Sequence, residues 1–215
     1  GGILNAIIGS LYLAGGGTLL AMLFSLPIVF GINTYAKGTK WQNIARLSLD
    51  VMWGIPSIVY GSFGFIIMLA IGMKASLLAG IIVLALLELP IMVRTIDETI
   101  RNIPKELEEA AVIDGYGYWA RFVHIILPLS KAALTTLLII TLLAIWNEYL
   151  YALVFLQSDV NRTLTLGIAL LRGDFDVKWN QVMAATLISI APIVLVYLSA
   201  QRYFVEGIAL TGVKG

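Results

Sequence analysis

Five long stretches of this sequence carry almost no charged side chains, and their lengths restrict what the chain can fold into. A helix crosses the hydrocarbon core of a bilayer with about 20 apolar residues, and every stretch is about that long or longer. With 60% hydrophobic and 13% charged residues, the chain is also far more apolar than a soluble domain, in which about 25% are charged. We therefore predict an all-α membrane protein with about five transmembrane helices in one domain, residues 1–215. The stretches are 1–36, 51–73 and 179–201 without charge, 75–93 with Glu88 alone, and 132–157 with Glu148 alone.

Two of the predicted spans, the first and the fourth, are longer than a membrane needs, so their ends are expected to project beyond the bilayer, tilt or kink. Proline removes a helical hydrogen bond and clashes with the preceding turn, so Pro27 predicts a kink, and Pro56, Pro90 and Pro192 are expected to interrupt three other spans. A short turn around residues 72–75 joins the second and third spans. The predicted spans are about 3–35, 51–73, 75–95, 122–157 and 180–201.

The distribution of basic residues predicts the orientation. Cytoplasmic loops of membrane proteins carry an excess of Lys and Arg. We expect the N-terminus and the 158–178 loop outside, and the C-terminus with the 37–50 and 94–131 loops in the cytoplasm. The predicted inner side carries Lys37, Lys40, Arg46, Arg94, Arg101, Lys105, Arg121, Lys131, Arg202 and Lys214, and the outer side carries Lys74, Arg162, Arg172 and Lys178.

The loop of residues 94–121 contains the signals of a short surface helix. Pro104 suits the first position of a helix, where its missing N–H costs nothing. Three carboxylates follow in the first turns, where they favour the positive end of the helix dipole. Gly115 and Gly117 are expected to end the helix. Its acidic residues are Glu106, Glu108 and Glu109, and Ala110 and Ala111 are expected to give it a smooth surface.

The same loop resembles the EAA signature of permeases from binding-protein-dependent ABC importers. The resemblance rests on Glu109-Ala110-Ala111, three residues, Gly115, nine residues, Ile125, one residue, and Leu127-Pro128. It implies short cytoplasmic coupling helices that sit in a cleft of an ATP-binding cassette subunit. It further implies a second permease subunit, identical or homologous, and an extracytoplasmic substrate-binding protein. The implied coupling residues are Glu109, Ala110, Ala111, Asp114, Gly115, Ile125, Leu127 and Pro128.

The two halves of the chain resemble different branches of that family. Residues 11–66 look like a phosphate permease, whereas residues 104–215 look like a sugar permease of the maltose type. The longer resemblance favours a carbohydrate as substrate, with phosphate or another oxyanion as the alternative. The residues that carry these resemblances are Tyr35-Ala36-Lys37-Gly38 and 54–61 in the first half, and Trp146-Asn147-Glu148-Tyr149, Arg162-Thr163-Leu164, 201–207 and 213–215 in the second.

A candidate substrate path lies near the outer end of the fourth span. It consists of Trp146, Asn147, Glu148 and Tyr149. A carboxylate in a membrane is costly and usually faces a bundle interior or water, and aromatic and amide groups suit a sugar. An interfacial aromatic belt with a solvated carboxylate explains the same residues.

Other polar residues suggest weaker roles. Glu88 either pairs with a basic group or lines the path, and Asp50 is predicted to be a charge at the start of the second span. His124 is the only histidine. A metal site would need further ligands close by, so we do not predict one there and expect His124 to pack at the membrane interface. Asp174 and Asp176 lie in the outer loop, which either contacts the external binding protein or is merely solvated.

No pattern in the sequence predicts catalysis, a cofactor, a metal or a nucleic-acid partner. A phosphate-binding loop needs a Gly-x-x-x-x-Gly-Lys-Ser/Thr pattern, and none occurs, so ATP hydrolysis is expected in a separate subunit. A membrane-embedded enzyme needs a cluster of catalytic groups, and a passive channel needs a ring of selectivity groups. We predict neither of these, and place the chain in the cell membrane as a multi-pass transport subunit among lipids.

Overall fold

The computed structural model describes residues 3–73, 75–156, 162–172 and 177–212, with side chains up to Gln201, and all its regular elements are helices. We number ten helices. They are α1 (Ile3–Thr34), α2 (Lys40–Trp53), α3 (Ser57–Ala70), α4 (Leu77–Arg101), α5 (Lys105–Ile113), α6 (Tyr118–Leu129), α7 (Lys131–Trp146), α8 (Leu150–Phe155), α9 (Leu164–Leu170) and α10 (Trp179–Gly212).

Three helices are long and apolar enough to cross a membrane by themselves. They are α1, α4 and the part of α10 within Trp179–Gln201. Two further pairs, α2 with α3 and α6 with α7, reach that length only if each bent pair forms one span. The described chain therefore has three candidate spans, or up to five, in agreement with the all-helical membrane fold expected from the sequence.

The prolines affect these helices differently from one another. Pro27, Pro90 and Pro192 lie inside the continuous helices α1, α4 and α10, so the interruptions expected at Pro90 and Pro192 are wrong. Pro56 immediately precedes α3 and does separate two helices. The predicted second span, 51–73, is therefore not one helix: it contains the end of α2, the break at Pro56 and α3. α2 has no buried residues.

The predicted fourth span, 122–157, is wrong as a single helix. The chain bends by 72° between α6 and α7, next to Pro128 and the buried Ser130. The helix ends again after Trp146, where side chains form hydrogen bonds with backbone groups. Asn147 Nδ2 donates to the Leu143 carbonyl at 2.8 Å, and Glu148 Oε1 accepts from the Leu150 N–H at 2.7 Å. These bonds end α7 and start α8.

The helices contribute to two compact units. The first comprises residues 1–21, 55–88 and 139–199. Tyr151, Phe155 and Leu13 are among its fully buried side chains, and Phe65 packs edge-on against Phe155 with ring centroids 5.8 Å apart. The Tyr151 hydroxyl donates to the Ser57 carbonyl at 2.5 Å. The larger buried cluster consists of Leu13, Ala14, Met68, Ala79, Val83, Leu84, Ile145, Trp146, Tyr151, Ala152, Phe155, Leu156, Leu164 and Leu166.

The second unit comprises residues 22–54, 89–138 and 200–215. It contains the second half of α1, all of α2, the end of α4, and α5 with α6. Phe30 of α1 lies against Trp119 and Phe122 of α6, with ring centroids 5.2 and 5.0 Å apart. The coupling residues expected from the sequence all lie in this unit.

Candidate functional site

Helix α5 is short because its sequence specifies both of its ends. Pro104 stands one residue before the first helical residue, Lys105, and not at the first position as expected. At the other end Gly115 has a φ of 81°, in the left-handed region that glycine adopts without steric cost. The Gly115 N–H donates to the Val112 carbonyl and the Tyr116 N–H to the Ala111 carbonyl, both at 3.0 Å. These two bonds form a Schellman motif, so Gly115 ends the helix as expected, whereas Gly117 begins α6.

The residues of α5 divide into an outward and an inward face. Glu109 and Ala110 are exposed, and Ile113 is 86% exposed. Ala111 is only 3% exposed, so the expectation that both alanines form the smooth outer surface is wrong for Ala111. The outward face includes the carboxylate of Glu109, the small side chain of Ala110 and the exposed side chain of Ile113. A helix surface of this kind can enter a shallow cleft on a partner.

Glu108 anchors the inward side of α5. Lys37 Nζ donates to both Glu108 oxygens at 3.1 Å, and Arg121 Nη1 donates to Glu108 Oε1 at 3.4 Å. Lys37 follows α1 and Arg121 lies in α6. The carboxylate therefore holds α5 between two neighbouring helices of its unit. Sequence analysis treated Glu108 only as a helix-dipole charge.

The second half of the signature lies on α6. Ile125 and Leu127 are half-buried, and Pro128 is exposed. Ile125 also lines a small cavity beneath Glu108. Residues Phe122–Ile126 form a π-helical turn, and these turns occur frequently at functional sites. His124 Nδ1 lies 3.0 Å from the Ala120 carbonyl and is exposed, which agrees with a surface position.

Asp97 of α4 is a residue that the sequence analysis missed. It is 6% exposed and accepts hydrogen bonds from Arg46 of α2 and Asn33 of α1. Arg101, one turn further along α4, approaches it to 3.9 Å. The carboxylate thus joins three helices immediately before the loop that carries α5. The sequence signal that could have indicated Asp97 was its position four residues before Arg101.

The candidate substrate residues do not all face the same space. Asn147 and Tyr149 line an open cavity of about 700 Å³ in the first unit. Thr165, Thr186 and Ser189 add hydroxyl groups to its lining, and Arg172 adds one positive charge. Most of these polar groups are uncharged. Ile168, Ala169, Ile190 and Ile193 complete the lining.

Trp146 and Glu148 have a structural role in this conformation. Trp146 is 4% exposed, and its carbonyl accepts a hydrogen bond from Thr165 Oγ1 at 3.0 Å. Glu148 is half-buried, and its Oε1 accepts the N–H groups of Leu150 and Tyr151 at 2.7 and 3.2 Å. Both residues thus stabilise the segment that carries Asn147 and Tyr149, which line the cavity.

The remaining candidates are structural or fall outside the described residues. Asp50 lies near the end of α2 and pairs with Arg94, so the prediction of a charge at the start of a span is wrong. Glu88 is half-buried in α4. Asp174 and Asp176 lie outside the described residues. Within the described ranges no cluster of His, Cys, Asp and Glu could hold a metal.

The comparison with protein families decides which class this arrangement belongs to. Residues 24–209 match the family of the binding-protein-dependent transport system inner membrane component. The chain belongs to this family. The chain is therefore a component of a transport system, and the resemblance that named α5 residues for coupling points to the same family.

Two curated relatives show the extent of the similarity. The melibiose/raffinose/stachyose import permease protein MelC of Bacillus subtilis is 31% identical over 212 residues, which are 98% of this chain and 76% of that protein. The probable ABC transporter permease protein YurM of Bacillus subtilis is 36% identical over 146 residues, 68% of this chain and 49% of the relative. The chain spans about half the length of YurM and of another of the first curated relatives it matches.

The fold is also similar to that of solved transporters. The MetNI methionine ABC transporter, in an inward-facing conformation, superposes with a TM-score of 0.80 at 16% identity, over 97% of this chain and 95% of the other. A bacterial ABC transporter that imports the acidic polysaccharide alginate gives a TM-score of 0.74, also at 16% identity, over 99% and 80%. The helical architecture is therefore that of ABC importer permeases.

Proposed function

We propose that this chain is the transmembrane permease subunit of an ATP-driven importer and that α5 transmits the action of a cytoplasmic ATPase to the membrane helices. The observation that carries this proposal is the geometry of α5. Its outward face is exposed, Gly115 ends the helix, and Glu108 on its inward face forms ion pairs with neighbouring residues. A helix built in this way moves with its neighbours when a partner displaces it.

The proposed assembly contains two permease subunits, two ATP-binding cassette subunits and an external binding protein. α5 enters the ATPase cleft through Glu109, Ala110 and Ile113. Closure of the ATPases on ATP moves α5, and the spans rock between inward-facing and outward-facing states around the path. The binding protein then releases its substrate into the outward-open path. The excess of Lys and Arg supports an orientation with the basic loops and α5 in the cytoplasm and the N-terminus outside.

We further propose a carbohydrate as the substrate. The amide of Asn147 and the hydroxyls of Tyr149 and Ser189 offer neutral donors and acceptors to sugar hydroxyls across a cavity wide enough for one or two rings. A relative that is named for import of melibiose, raffinose and stachyose supports the same class. A phosphate or another oxyanion is the second candidate, and the observation that favours it is the presence of Arg172 in the cavity wall.

Affinity purification from gently solubilised membranes tests the assembly, and reconstituted uptake tests the substrate. We expect an ATP-binding cassette protein, a second permease and a binding protein to co-purify. In proteoliposomes the complex should accumulate a labelled oligosaccharide against its gradient when ATP is supplied, and inorganic phosphate should not compete. A chain that inserts stably but brings down no ATPase contradicts the importer. Accumulation of phosphate instead of the sugar replaces the carbohydrate with the oxyanion.

A further inference from the structure

A second cavity, which the proposed transport path does not use, lies in the unit that contains α5. Its volume is about 700 Å³. Four of its lining side chains are basic, and Glu108 is the one carboxylate among them. We call it the basic cavity. Its polar lining consists of Asn33, Thr34, Lys37, Arg101, Lys105, Glu108, Tyr118 and Arg121, and its apolar lining of Ile100, Ile103, Val112, Phe122 and Ile126.

The positive charge of the basic cavity is only partly neutralised. Glu108 is bound by Lys37 and Arg121, which offsets its own charge. Arg101 lies 3.9 Å from Asp97 and its side chain remains 55% exposed. Among the described residues Lys105 makes no ion pair. The excess of positive charge makes the cavity suitable for an anion.

Arg121 is the most buried of the four basic residues that line the cavity. The residue is 9% exposed, and its guanidinium lies over the Tyr118 ring at 4.7 Å. Its Nε is buried and has no hydrogen-bond partner among the residues that the structure describes. Phosphate oxygens are strong acceptors for guanidinium groups.

The position of the cavity identifies the source of the anion. Two candidate membrane spans, α1 and α4, end at Thr34 and Arg101, and both of these residues line the cavity. The last two turns of α4 are charged, which places this end outside the hydrocarbon core, on the side where the phospholipid headgroups lie. Five apolar side chains, from Ile100 to Ile126, stand beside the basic ones, and they offer a surface for an acyl chain. Inorganic phosphate would gain nothing from this apolar half.

We infer that the basic cavity binds the phosphate of an anionic phospholipid, with Arg101, Lys105 and Arg121 on the headgroup and the isoleucine and phenylalanine side chains against an acyl chain. Basic pockets between membrane helices on the cytoplasmic side have the chemistry to bind anionic headgroups. The bound lipid lies behind α5 and contacts residues of α5, the helix that also carries Glu108. It therefore supports the inward face of the coupling segment.

Native mass spectrometry tests the inference on the complete protein, in the assembly in which it purifies, inserted into nanodiscs of phosphatidylcholine with increasing phosphatidylglycerol. The double variant Arg101→Gln/Lys105→Gln removes two charges from the cavity without touching the buried Arg121. Lys40→Gln/Lys178→Gln removes two charges elsewhere and is the matched control. We expect the cavity variant to weaken phosphatidylglycerol retention about thirtyfold, since each basic group near an anionic lipid contributes a factor of about five.

Three results would overturn the inference. The first is retention of phosphatidylglycerol by the cavity variant at the wild-type level, or an equal loss in the control. The second is equal retention of phosphatidylcholine and phosphatidylglycerol by the wild-type protein. The third is displacement of the lipid by millimolar inorganic phosphate, which would assign the cavity to a soluble anion. The measurement requires no transport, so its outcome is independent of whether the importer assignment holds.

Discussion

Arg46 and Asp97 form a two-pronged ion pair in which Arg46 Nε donates to Asp97 Oδ2 at 2.9 Å and Nη2 donates to Oδ1 at 3.0 Å. Bidentate arginine–carboxylate pairs are the strong form of this interaction. Asn33 adds a third hydrogen bond to Asp97 Oδ1 at 2.7 Å. The end of α4, which leads directly into α5, is therefore bonded to α1 and α2.

We expect Asp97→Ala to destabilise the second unit by about 2–3 kcal/mol, because it removes the carboxylate that accepts hydrogen bonds from both Arg46 and Asn33. Glu98→Ala is the matched control, since Glu98 is the neighbouring carboxylate and is exposed. Thermal unfolding in detergent measures both variants. Equal melting temperatures for the two would show that the Asp97 network does not hold these helices.

Gly115→Ala should impair coupling more than folding. The φ of 81° at Gly115 costs a residue with a Cβ about 1–2 kcal/mol, although the space around it is open. The expected result is normal membrane insertion with reduced ATP-driven uptake. Gly117→Ala has open space and a φ of −69°, so it should transport normally. Uptake by the Gly115 variant at the level of the Gly117 variant would contradict a role for this turn.

Gly64→Ala tests how closely α3 and α4 pack in the first unit. A Cβ at Gly64 would lie 2.6 Å from Val83 Cγ2 and 2.9 Å from Cγ1, closer than van der Waals contact permits. Overpacking of this kind costs about 1–3 kcal/mol. Gly15→Ala, with nothing within 4 Å, should leave the melting temperature unchanged. If both variants melt like the wild type, the close approach of these two helices is incorrect.

Glu148→Ala and Glu148→Gln separate a helix-capping role from a substrate-binding role. Loss of the acceptor for the Leu150 and Tyr151 N–H groups should cost about 1 kcal/mol, whereas Gln keeps a carbonyl oxygen that can accept them. We expect the Ala variant to lose stability and the Gln variant to keep both stability and substrate-stimulated ATPase activity. A Gln variant that is stable but has an altered ATPase response to substrate would indicate that Glu148 belongs to the transport path.

Sequence patterns predicted those parts of the fold that depend on local chemistry. The apolar stretches predicted α1, α4 and α10, and the Pro104 to Gly115 segment predicted α5. Each of these helices depends on residues that are close together in the chain. The family resemblance was confirmed by the match of residues 24–209. The coupling and substrate residues named from the sequence stay predictions.

The missed features depend on partners that are distant in the chain. Asp97 is 51 residues from Arg46 and 64 from Asn33, so no local pattern marks it as buried, and its place in a charged segment suggested an exposed loop. The break after Trp146 was missed because Asn147 and Glu148 bond to the backbone, which an apolar stretch of uniform hydropathy does not reveal. The basic cavity required the ends of α1, α4 and α6 to be brought together.

The most direct test of the central claim is site-specific crosslinking from α5. The chain contains no cysteine, so Ile113→Cys, at a position that is 86% exposed, introduces a single reactive thiol on the outward face. Lys178→Cys places the same thiol in the loop that we assign to the opposite side of the membrane. We predict that a short thiol-to-amine crosslinker joins the Ile113 variant to an ATP-binding cassette protein in membranes, and that the Lys178 variant gives no such product. Absence of an ATPase adduct from the Ile113 variant, or an equal yield from both positions, would contradict the account.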